Sequence, residues 1–285
     1  MVRLTLVANP GSGRDTDLTA LTAALRERGA EVEAFDIDEI GDAARTVGAT
    51  DRLVVAGGDG SIGLAARAAA RAGVPLAVVP TGTANDFARA LDLPTDPDAA
   101  LDLAADPDAP TSRIELLIAG GRPFVNAAST GLAVAAAHRA RPLKSRLGPL
   151  AYAIGGLRAG LTARPLSITV NADGGRMYAG EVWHVIVGGT GAFGGGSRLG
   201  RADHGDELLD VVLVERGSRL GLVLRAWGMR RGTLEEQRGV LHRRVRHAEI
   251  GVAPGTEFNV DGEICELRPP AFTALPGGVR VVVAR

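Results

Sequence analysis

Three short segments combine glycines with polar side chains where an apolar run ends. They are "NPGSGR" at residues 9–14, "GGDGS" at 57–61 and "TGTAND" at 81–86. Glycine lets a backbone approach a ligand closely, and the N-terminus of a following helix directs unpaired N–H groups towards an anion. Together the segments predict a cradle for the phosphates of a nucleotide. The predicted binding residues are Asn9, Arg14, Gly57, Gly58, Asp59, Gly60, Ser61, Thr81, Gly82, Thr83 and Asn85.

Asp59 is the acidic residue of this set, and its charge would repel a phosphate. It therefore suits a nucleotide hydroxyl group or a Mg²⁺ ion bound to the phosphates. The alternative is a tight turn between a strand and a helix, with Asp59 as the helix cap and no ligand. The 9–14 segment is not a P-loop, because the Lys-Ser/Thr ending of that motif is absent.

Two carboxylate pairs occur later in the chain. Asp261 and Glu263 flank a glycine in "EFNVDGEICEL", and side chains two residues apart in a strand lie on the same side. Asp-Gly is also a common turn pair, so a β-turn with solvated acids is the alternative. Asp203 and Asp206 lie just before another apolar run, where oxygen ligands at this spacing suit Mg²⁺ or Ca²⁺, or else form a capped turn.

Strand and helix patterns alternate over the first 90 residues, and the glycine segments lie within this region. Strand patterns occupy 3–9, 30–37, 52–58 and 75–80, and helical patterns occupy 17–29, 38–48, 61–73 and 84–93. Such alternation predicts a doubly wound parallel sheet, whose ligands bind at the carboxyl ends of its strands.

A Pro/Asp-rich boundary with one helix follows at 94–111, and β patterns dominate beyond it. The "ADGGRM" segment between two alternating runs indicates a hairpin, and helical patterns interrupt at about 133–163 and 219–237. The expected fold class is α/β plus all-β. It has an N-terminal doubly wound parallel α/β lobe at 1–110 and a C-terminal antiparallel β-sandwich-like lobe at 111–275. Residues 276–285 are candidates to complete the first lobe.

Composition excludes several classes of protein. The 285 residues are 46% hydrophobic and 23% charged, as in soluble globular proteins, and lack the run of roughly 18 apolar residues that a membrane span needs. The first residues are too soon interrupted by polar ones for a secretory signal. A single cysteine, Cys265, excludes an internal disulfide and favours the cytoplasm. With 4% aromatic residues and no recognition-helix or zinc spacing, nucleic acid is not an expected partner.

Charge is distributed unevenly, with a net −9 over residues 1–110 and +8 over 111–285. No acidic residue occurs between Glu115 and Asp173, where basic and leucine side chains are interspersed. The basic residues there include Arg122, Arg139, Arg141, Lys144, Arg146, Arg158 and Arg164. Such a stretch could rest on an anionic bilayer and admit a lipid acceptor. An ordinary helix with a solvated basic face is the alternative.

The chain resembles the diacylglycerol-kinase-like lipid kinases, which include bacterial diacylglycerol kinases and sphingosine-kinase-type enzymes. The resemblance rests on "NPGSGR", "GGDGS", "PTGTANDFAR" and "VDGE" in the family's order, and extends through "FVNAASTG" and "RLGPLAYAIGGLR". NAD kinases and phosphofructokinases share a GGDG turn, but the second-lobe D-G-E and the G-T-x-N-D-F-A-R segment select the lipid-kinase branch. Ser61 stands where the family usually has threonine, and Glu207 where it commonly has glycine.

This resemblance implies an ATP-binding N-terminal lobe, a β-rich C-terminal lobe and a cleft between them where a lipid hydroxyl is phosphorylated. It implies Asp261 as general base and Glu263 as its supporting carboxylate. In similar bacterial diacylglycerol kinases a loop of the 203–208 form binds a structural Mg²⁺, which communicates through water with the aspartate matching Asp86. The implied metal residues are Asp203, Asp206, Leu208 and Asp86.

The resulting prediction is an ATP- and Mg²⁺-dependent lipid kinase acting on diacylglycerol or a related lipid alcohol. We expect it in the cytoplasm, associated peripherally with an anionic membrane surface, with a homodimer left open. Two alternatives stand beside it: a soluble NAD-kinase-like or sugar kinase, and a non-catalytic nucleotide or lipid sensor. Diacylglycerol, sphingoid bases, polyprenols and phosphatidylglycerol all stay open as acceptors, because apolar tails require only generic hydrophobic walls.

Overall fold

A computed structural model describes residues 1–11, 17–140, 162, 164–191, 206–219, 221–222, 225, 228, 231 and 233–285. Two predicted site residues, Arg14 and Asp203, lie outside these ranges, as does most of the basic stretch after residue 140.

The first lobe consists of parallel strands connected by helices, as predicted. Its strands are β1 Arg3–Ala8, β2 Glu31–Asp36, β3 Arg52–Gly57 and β4 Leu76–Pro80. Its helices are α1 Leu18–Glu27, α2 Ile40–Thr46, α3 Asp59–Ala72, α4 Asp86–Ala90 and α5 Pro97–Ala105. The strands pair in the order β4-β3-β1-β2, all in parallel.

Both faces of this parallel sheet are covered, which explains the continuous apolar runs of its central strands. All six residues of β3 are buried. Alternate side chains reach two separate cores, so Val55 packs with Ile62 of α3 whereas Val54 packs with Leu25 of α1.

The second lobe is mainly antiparallel. Its strands are β5 Thr111–Ala119, β6 Arg122–Phe124, β7 Ala127–Gly131, β8 Leu166–Ala172, β9 Gly175–Gly188, β10 Leu209–Glu215, β11 Val240–Val245, β12 His247–Gly251, β13 Glu257–Val260, β14 Glu263–Glu266 and β15 Ala271–Val282. Helix α6 Leu132–Ala140 follows β7. The predicted hairpin joins β8 to β9, with Asp173 and Gly174 at positive φ in the turn.

Strand β15 joins the two lobes. It pairs antiparallel with β12 and β5 of the second lobe, and Val281 near its end pairs in parallel with Leu76 of β4. Val279 and Val281 pack in the core of the first lobe. The predicted fold class is confirmed, with an α/β lobe and a β-sandwich-like lobe that share strands of one mixed sheet. The boundary at residue 110 stays a prediction.

Within the described ranges, no helix combines the length and the apolar character needed to span a bilayer.

Candidate active site

The three glycine-containing segments meet at one edge of the parallel sheet. Strands β1, β3 and β4 are neighbours, and their registers place Ala8 beside Ala56 and Gly57 beside Pro80. The strands therefore end together, and the loops that follow them are adjacent.

Hydrogen bonds connect these loops directly. The Asn9 side-chain NH₂ group donates to the Ser61 hydroxyl over 2.8 Å. The Asn9 side-chain oxygen, Oδ1, accepts from the Gly11 N–H over 3.0 Å. The Thr81 N–H donates to the Gly57 carbonyl over 3.1 Å. Hydrogen bonds thus connect the first loop to the second and the second loop to the third.

Two of the predicted glycines are required by close packing, Gly82 between two loops and Gly57 against the first turn of α3. A Cβ atom on Gly82 would lie 2.8 Å from the Cα of Gly58, and a Cβ on Gly57 would lie 2.8 Å from that of Ser61. A side chain at Gly82 would push two loops apart, and one at Gly57 would displace Ser61 in the first turn of α3. Thr83 lies exposed in the third loop.

Helix α3 begins at Asp59, with Gly58 as its N-cap, two residues before the predicted start near Ser61. Asp59 and Gly60 therefore belong to the first helical turn rather than to the loop. The first N–H groups of a helix have no partner within the helix, so this turn is suited to bind an anion.

The Asp59 carboxylate caps a helix, but not its own. Its Oδ2 accepts from the Asp86 N–H over 3.2 Å, and its Oδ1 accepts from the Phe87 N–H over 2.9 Å, both at the start of α4. Oδ1 also accepts from the Asn126 side-chain amide over 3.0 Å. Asp59 thus connects the third loop of the cradle to the second lobe, a role that neither interpretation of the sequence included.

Asn85, the residue just before α4, has an unsatisfied acceptor. It adopts the left-handed conformation, with φ of 50°, which asparagine tolerates better than most residues. Its Oδ1 is buried and has no hydrogen-bond partner among the described residues. Such an atom costs about 1–3 kcal/mol when left unpaired. The site therefore favours a ligand that brings a hydrogen-bond donor or a cation to this oxygen.

Asp261 lies in a two-residue turn between β13 and β14. Asp261 and Gly262 both have positive φ, so the Asp-Gly turn expected as the alternative describes the backbone correctly. The first interpretation placed both carboxylates on one side of a strand. It was wrong, because Asp261 precedes β14 and only Glu263 lies in that strand.

The Asp261 side chain is nevertheless not a solvated acid. Its Oδ2 accepts from the Val125 N–H over 2.7 Å, and its Oδ1 accepts from the N–H groups of Asn126 and Ala127 over 3.0 and 3.1 Å. The Asp261 N–H in turn donates to the Ala127 carbonyl over 3.0 Å. Three consecutive backbone donors therefore fix this carboxylate against the segment between β6 and β7.

Burial raises the pKa of Asp261 to about 7, and the negative charge of Asp59 acts in the same direction. The backbone donors Val125, Asn126 and Ala127 oppose this shift because they stabilise the ionised form. A carboxyl group with this pKa can exchange a proton near neutral pH, as a general base must.

Glu263 borders the cradle from the second lobe. Its carboxylate pairs with the Arg122 guanidinium, and a Cβ built on Gly60 would lie 2.9 Å from its Oε1. The pair therefore lies beside the first turn of α3. Desolvation is the largest influence on the pKa of Arg122 and lowers it, but the hydrogen bond and charge of Glu263 together with Cys265 leave the pKa raised.

In the described part of the predicted metal loop, an arginine side chain balances the negative charge of the acidic residue. The Asp206 carboxylate pairs with Arg244, and its Oδ1 accepts from the Leu208 N–H over 2.9 Å. Asp86 is buried at the start of α4. Among the described residues no group of three or more His, Cys, Asp or Glu side chains could hold a metal ion, and Asp203 lies outside them.

Glu207 adopts a conformation that favours glycine, with φ of 61°. Its N–H donates to the buried Glu115 over 3.2 Å, and its Oε1 accepts from the Gly277 N–H over 2.9 Å. These contacts show how this loop accommodates a side chain at a position where glycine would be unstrained.

Sequence reasoning missed Asn126 and undervalued Arg122. Arg122 was counted only as part of a basic stretch, because its partner Glu263 is 141 residues away. Asn126 carried one signal, a lone amide within the apolar run "PFVNAA". A buried polar group in such a run requires partners, and these are Asp59 and Thr190.

Comparisons with known proteins agree with this architecture. The family model of the diacylglycerol kinase catalytic domain matches residues 3–115, and that of the YegS C-terminal NAD kinase beta sandwich-like domain matches residues 126–283. A diacylglycerol kinase of Mycobacterium tuberculosis is 29% identical, over 99% of this chain and 96% of its own. A Pseudomonas aeruginosa protein named "Probable lipid kinase YegS-like" is 33% identical, over 98% of this chain and 93% of its own.

Among solved structures, a diacylglycerol kinase from Bacillus anthracis has the same fold, with a TM-score of 0.78 at 21% identity over 99% of this chain and 96% of that one. The two lobes, the match to a kinase catalytic domain and the kinase names of the relatives identify the chain as a two-lobed kinase. The chain belongs to the diacylglycerol-kinase-like family of lipid kinases, which confirms the resemblance drawn from its motifs.

Proposed function

We propose that the protein transfers the γ-phosphoryl group of ATP to the hydroxyl group of diacylglycerol or a related lipid alcohol. One observation carries this proposal: Asp261 is held by three backbone donors and linked through Asn126 to Asp59 in the glycine-rich edge. A carboxyl group with a pKa of about 7 thus lies across from loops suited to phosphate. The names of the relatives support a lipid acceptor.

The nucleotide would bind across the three loops of the first lobe. Gly58 and Gly82 let the second and third loops lie close together beside its phosphates, and the first turn of α3 would supply N–H donors. The unpaired Oδ1 of Asn85 supports this assignment, since a nucleotide bound with its Mg²⁺ would supply the partner that this oxygen lacks. Arg14, which the sequence assigns to the phosphates, remains part of the proposed site.

The chemistry proposed for Asp261 is that of a general base. The acceptor hydroxyl oxygen would attack the γ-phosphorus while the bond from that phosphorus to the β–γ bridging oxygen breaks, releasing ADP. Asp261 would take the hydroxyl proton. Its Oδ2 has one donor, Val125, whereas Oδ1 has two, so Oδ2 is the oxygen with an available lone pair among the described contacts.

Mg²⁺ is the cofactor that the family implies. The nucleotide edge fits it, because Asp59 Oδ2 and the unpaired Asn85 Oδ1 are hard oxygen donors of the kind that Mg²⁺ prefers. Mg²⁺ bound there would offset the charge of the phosphate oxygens. In the 203–208 loop, Asp206 pairs with Arg244 and Asp203 lies outside the described residues, so no step is assigned to a metal there.

The acceptor would reach the site from an anionic membrane surface, to which the protein would bind peripherally. The net charge of +8 over residues 111–285 supports this, because basic residues near an anionic surface each contribute about 1 kcal/mol of attraction.

Radiolabelled ATP incubated with a total lipid extract, NAD and sugar phosphates tests the function directly. We expect label in a lipid, to be identified by mass. Label in NAD or a sugar would contradict the proposal, and ATP binding without transfer to any acceptor would indicate a sensor.

A further inference from the structure

Asn126 lies between β6 and β7 and contacts both lobes. It is 4% exposed. Its backbone N–H donates to Asp261 Oδ1 and its side-chain amide donates to Asp59 Oδ1, each over 3.0 Å. Its own Oδ1 accepts from the Thr190 hydroxyl over 3.2 Å. Backbone and side chain of one residue therefore bind the acidic groups of both lobes.

These contacts bring together two groups that repel each other. The charge of Asp59 contributes to the raised pKa of Asp261, so the two carboxylates interact electrostatically. A neutral amide can donate to Asp59 and accept from Thr190 at once. A carboxylate would repel Asp59, and an aliphatic side chain would leave both groups without this partner.

The position of Asp59 also determines where α4 begins. Asp59 receives the N–H groups of Asp86 and Phe87, which directly follow Asn85 in the nucleotide loop. A displacement of Asp59 would therefore be transmitted to this loop. The Asn126 side chain connects Asp59, and through it the start of α4, to the segment that holds Asp261.

We propose that Asn126 is a positioning residue, which holds Asp59 and the start of α4 at a fixed place relative to Asp261. The inference rests on the proposed function and deepens it, because it assigns the alignment of nucleotide and base to one amide. It assigns no contact between Asn126 and a substrate.

A double-mutant cycle separates positioning from a general structural role. Asn126→Ala, Asp59→Ala and the double variant are compared by kcat on the phosphorylated lipid and by the calorimetric dissociation constant of ATP. Asn171→Ala, at an exposed site on β8, is the matched control. We expect Asn126→Ala to lower kcat about 10–100-fold, the scale of a misplaced reacting group. In the Asp59→Ala background the same change should cost no more than about twofold.

Equal losses in both backgrounds would overturn the proposal, because Asn126 would then act independently of Asp59. An unchanged kcat for Asn126→Ala would overturn it as well. If wild-type protein phosphorylates no lipid, the proposed function fails on its own. The cycle is then evaluated from the dissociation constants of ATP. A double variant whose dissociation constant rises by less than the product of the two single-variant increases supports coupling between Asn126 and Asp59, and a rise equal to that product refutes it.

A second variant is available if Asn126→Ala does not fold. Asn126→Asp preserves the shape of the side chain but repels Asp59 when ionised, whereas its protonated carboxyl group can donate as the amide does. We expect the ratio of variant to wild-type kcat to increase as the pH falls. A ratio independent of pH would contradict the role of a donor at this position.

Discussion

The carboxylates of Asp59 and Asp261 come from opposite lobes, and each accepts a hydrogen bond of 3.0 Å from Asn126. Asp59 is bound by the side chain and Asp261 by the backbone. Because the charge of Asp59 also raises the pKa of Asp261, the two groups form one electrostatic unit between the lobes.

Replacement of the proposed base should affect chemistry more than binding. Asp261→Asn preserves size but cannot accept the hydroxyl proton, so kcat should fall roughly 10²–10⁴-fold. ATP affinity, measured by calorimetry, should change little because Asp261 belongs to the other lobe. A near wild-type kcat on an identified lipid would show that the Asp-Gly segment is a simple turn without a catalytic role. Melting curves serve as the control that the variant is folded.

The pH profile should report the raised pKa of Asp261. The ionised form is the active base, so kcat/KM should rise with pH up to about 7 and then level off. Asp59→Asn removes a negative charge, which lowers the pKa of Asp261 and should move this rise to lower pH. The profile is measured at saturating Mg²⁺. A rise that stays in place in Asp59→Asn would show that Asp59 does not influence the base.

Close packing of the loops predicts a steric effect at Gly82. Gly82→Ala would place a methyl group 2.8 Å from the Gly58 Cα and displace one loop, so ATP should bind more weakly. Gly41→Ala is the control, because a Cβ there meets nothing within 4 Å and alanine stabilises a helix relative to glycine by roughly 0.5–1 kcal/mol. Equal ATP affinities for the two variants would contradict the proposed cradle.

The Arg122–Glu263 pair should matter for activity and little for stability. Its side chains are 35% and 57% exposed, and exposed ion pairs contribute about 0–1 kcal/mol, so Glu263→Gln should hardly change the melting temperature. Its kcat should fall, though less than in Asp261→Asn. Glu266→Gln is the matched control, since Glu266 lies on the same strand and pairs with Arg268. Equal activities of the two glutamine variants would exclude Glu263 from the site.

Membrane association should depend on salt. Binding to vesicles containing anionic lipid, measured by sedimentation, should weaken as ionic strength rises because salt screens the basic surface. Vesicles of neutral phosphatidylcholine serve as the comparison. Binding that is insensitive to salt, or equal on both vesicles, would show that the basic stretch is an ordinary solvated surface.

The sequence by itself determined the sheet edge and the family. Apolar runs, helical periodicity and glycine positions are local properties, and parallel strands necessarily place their carboxyl ends at one edge. The adjacency of the loops at Gly57 and Gly82 therefore follows from the order of the elements. The turn at Asp261 and Gly262 was likewise readable, since few residue pairs adopt two successive positive φ values.

Only the tertiary structure decided which side chains of the two lobes meet. Asp59 and Asn126 are 67 residues apart, and Arg122 and Glu263 are 141 apart, so no local pattern relates them. The raised pKa of Asp261 depends on burial and on Asp59 in the other lobe. Such contacts arise from the packing of β6 against α3 and from Glu263 of β14, which lies beside the first turn of that helix. Sequence spacing carries no information about the distances that this packing creates.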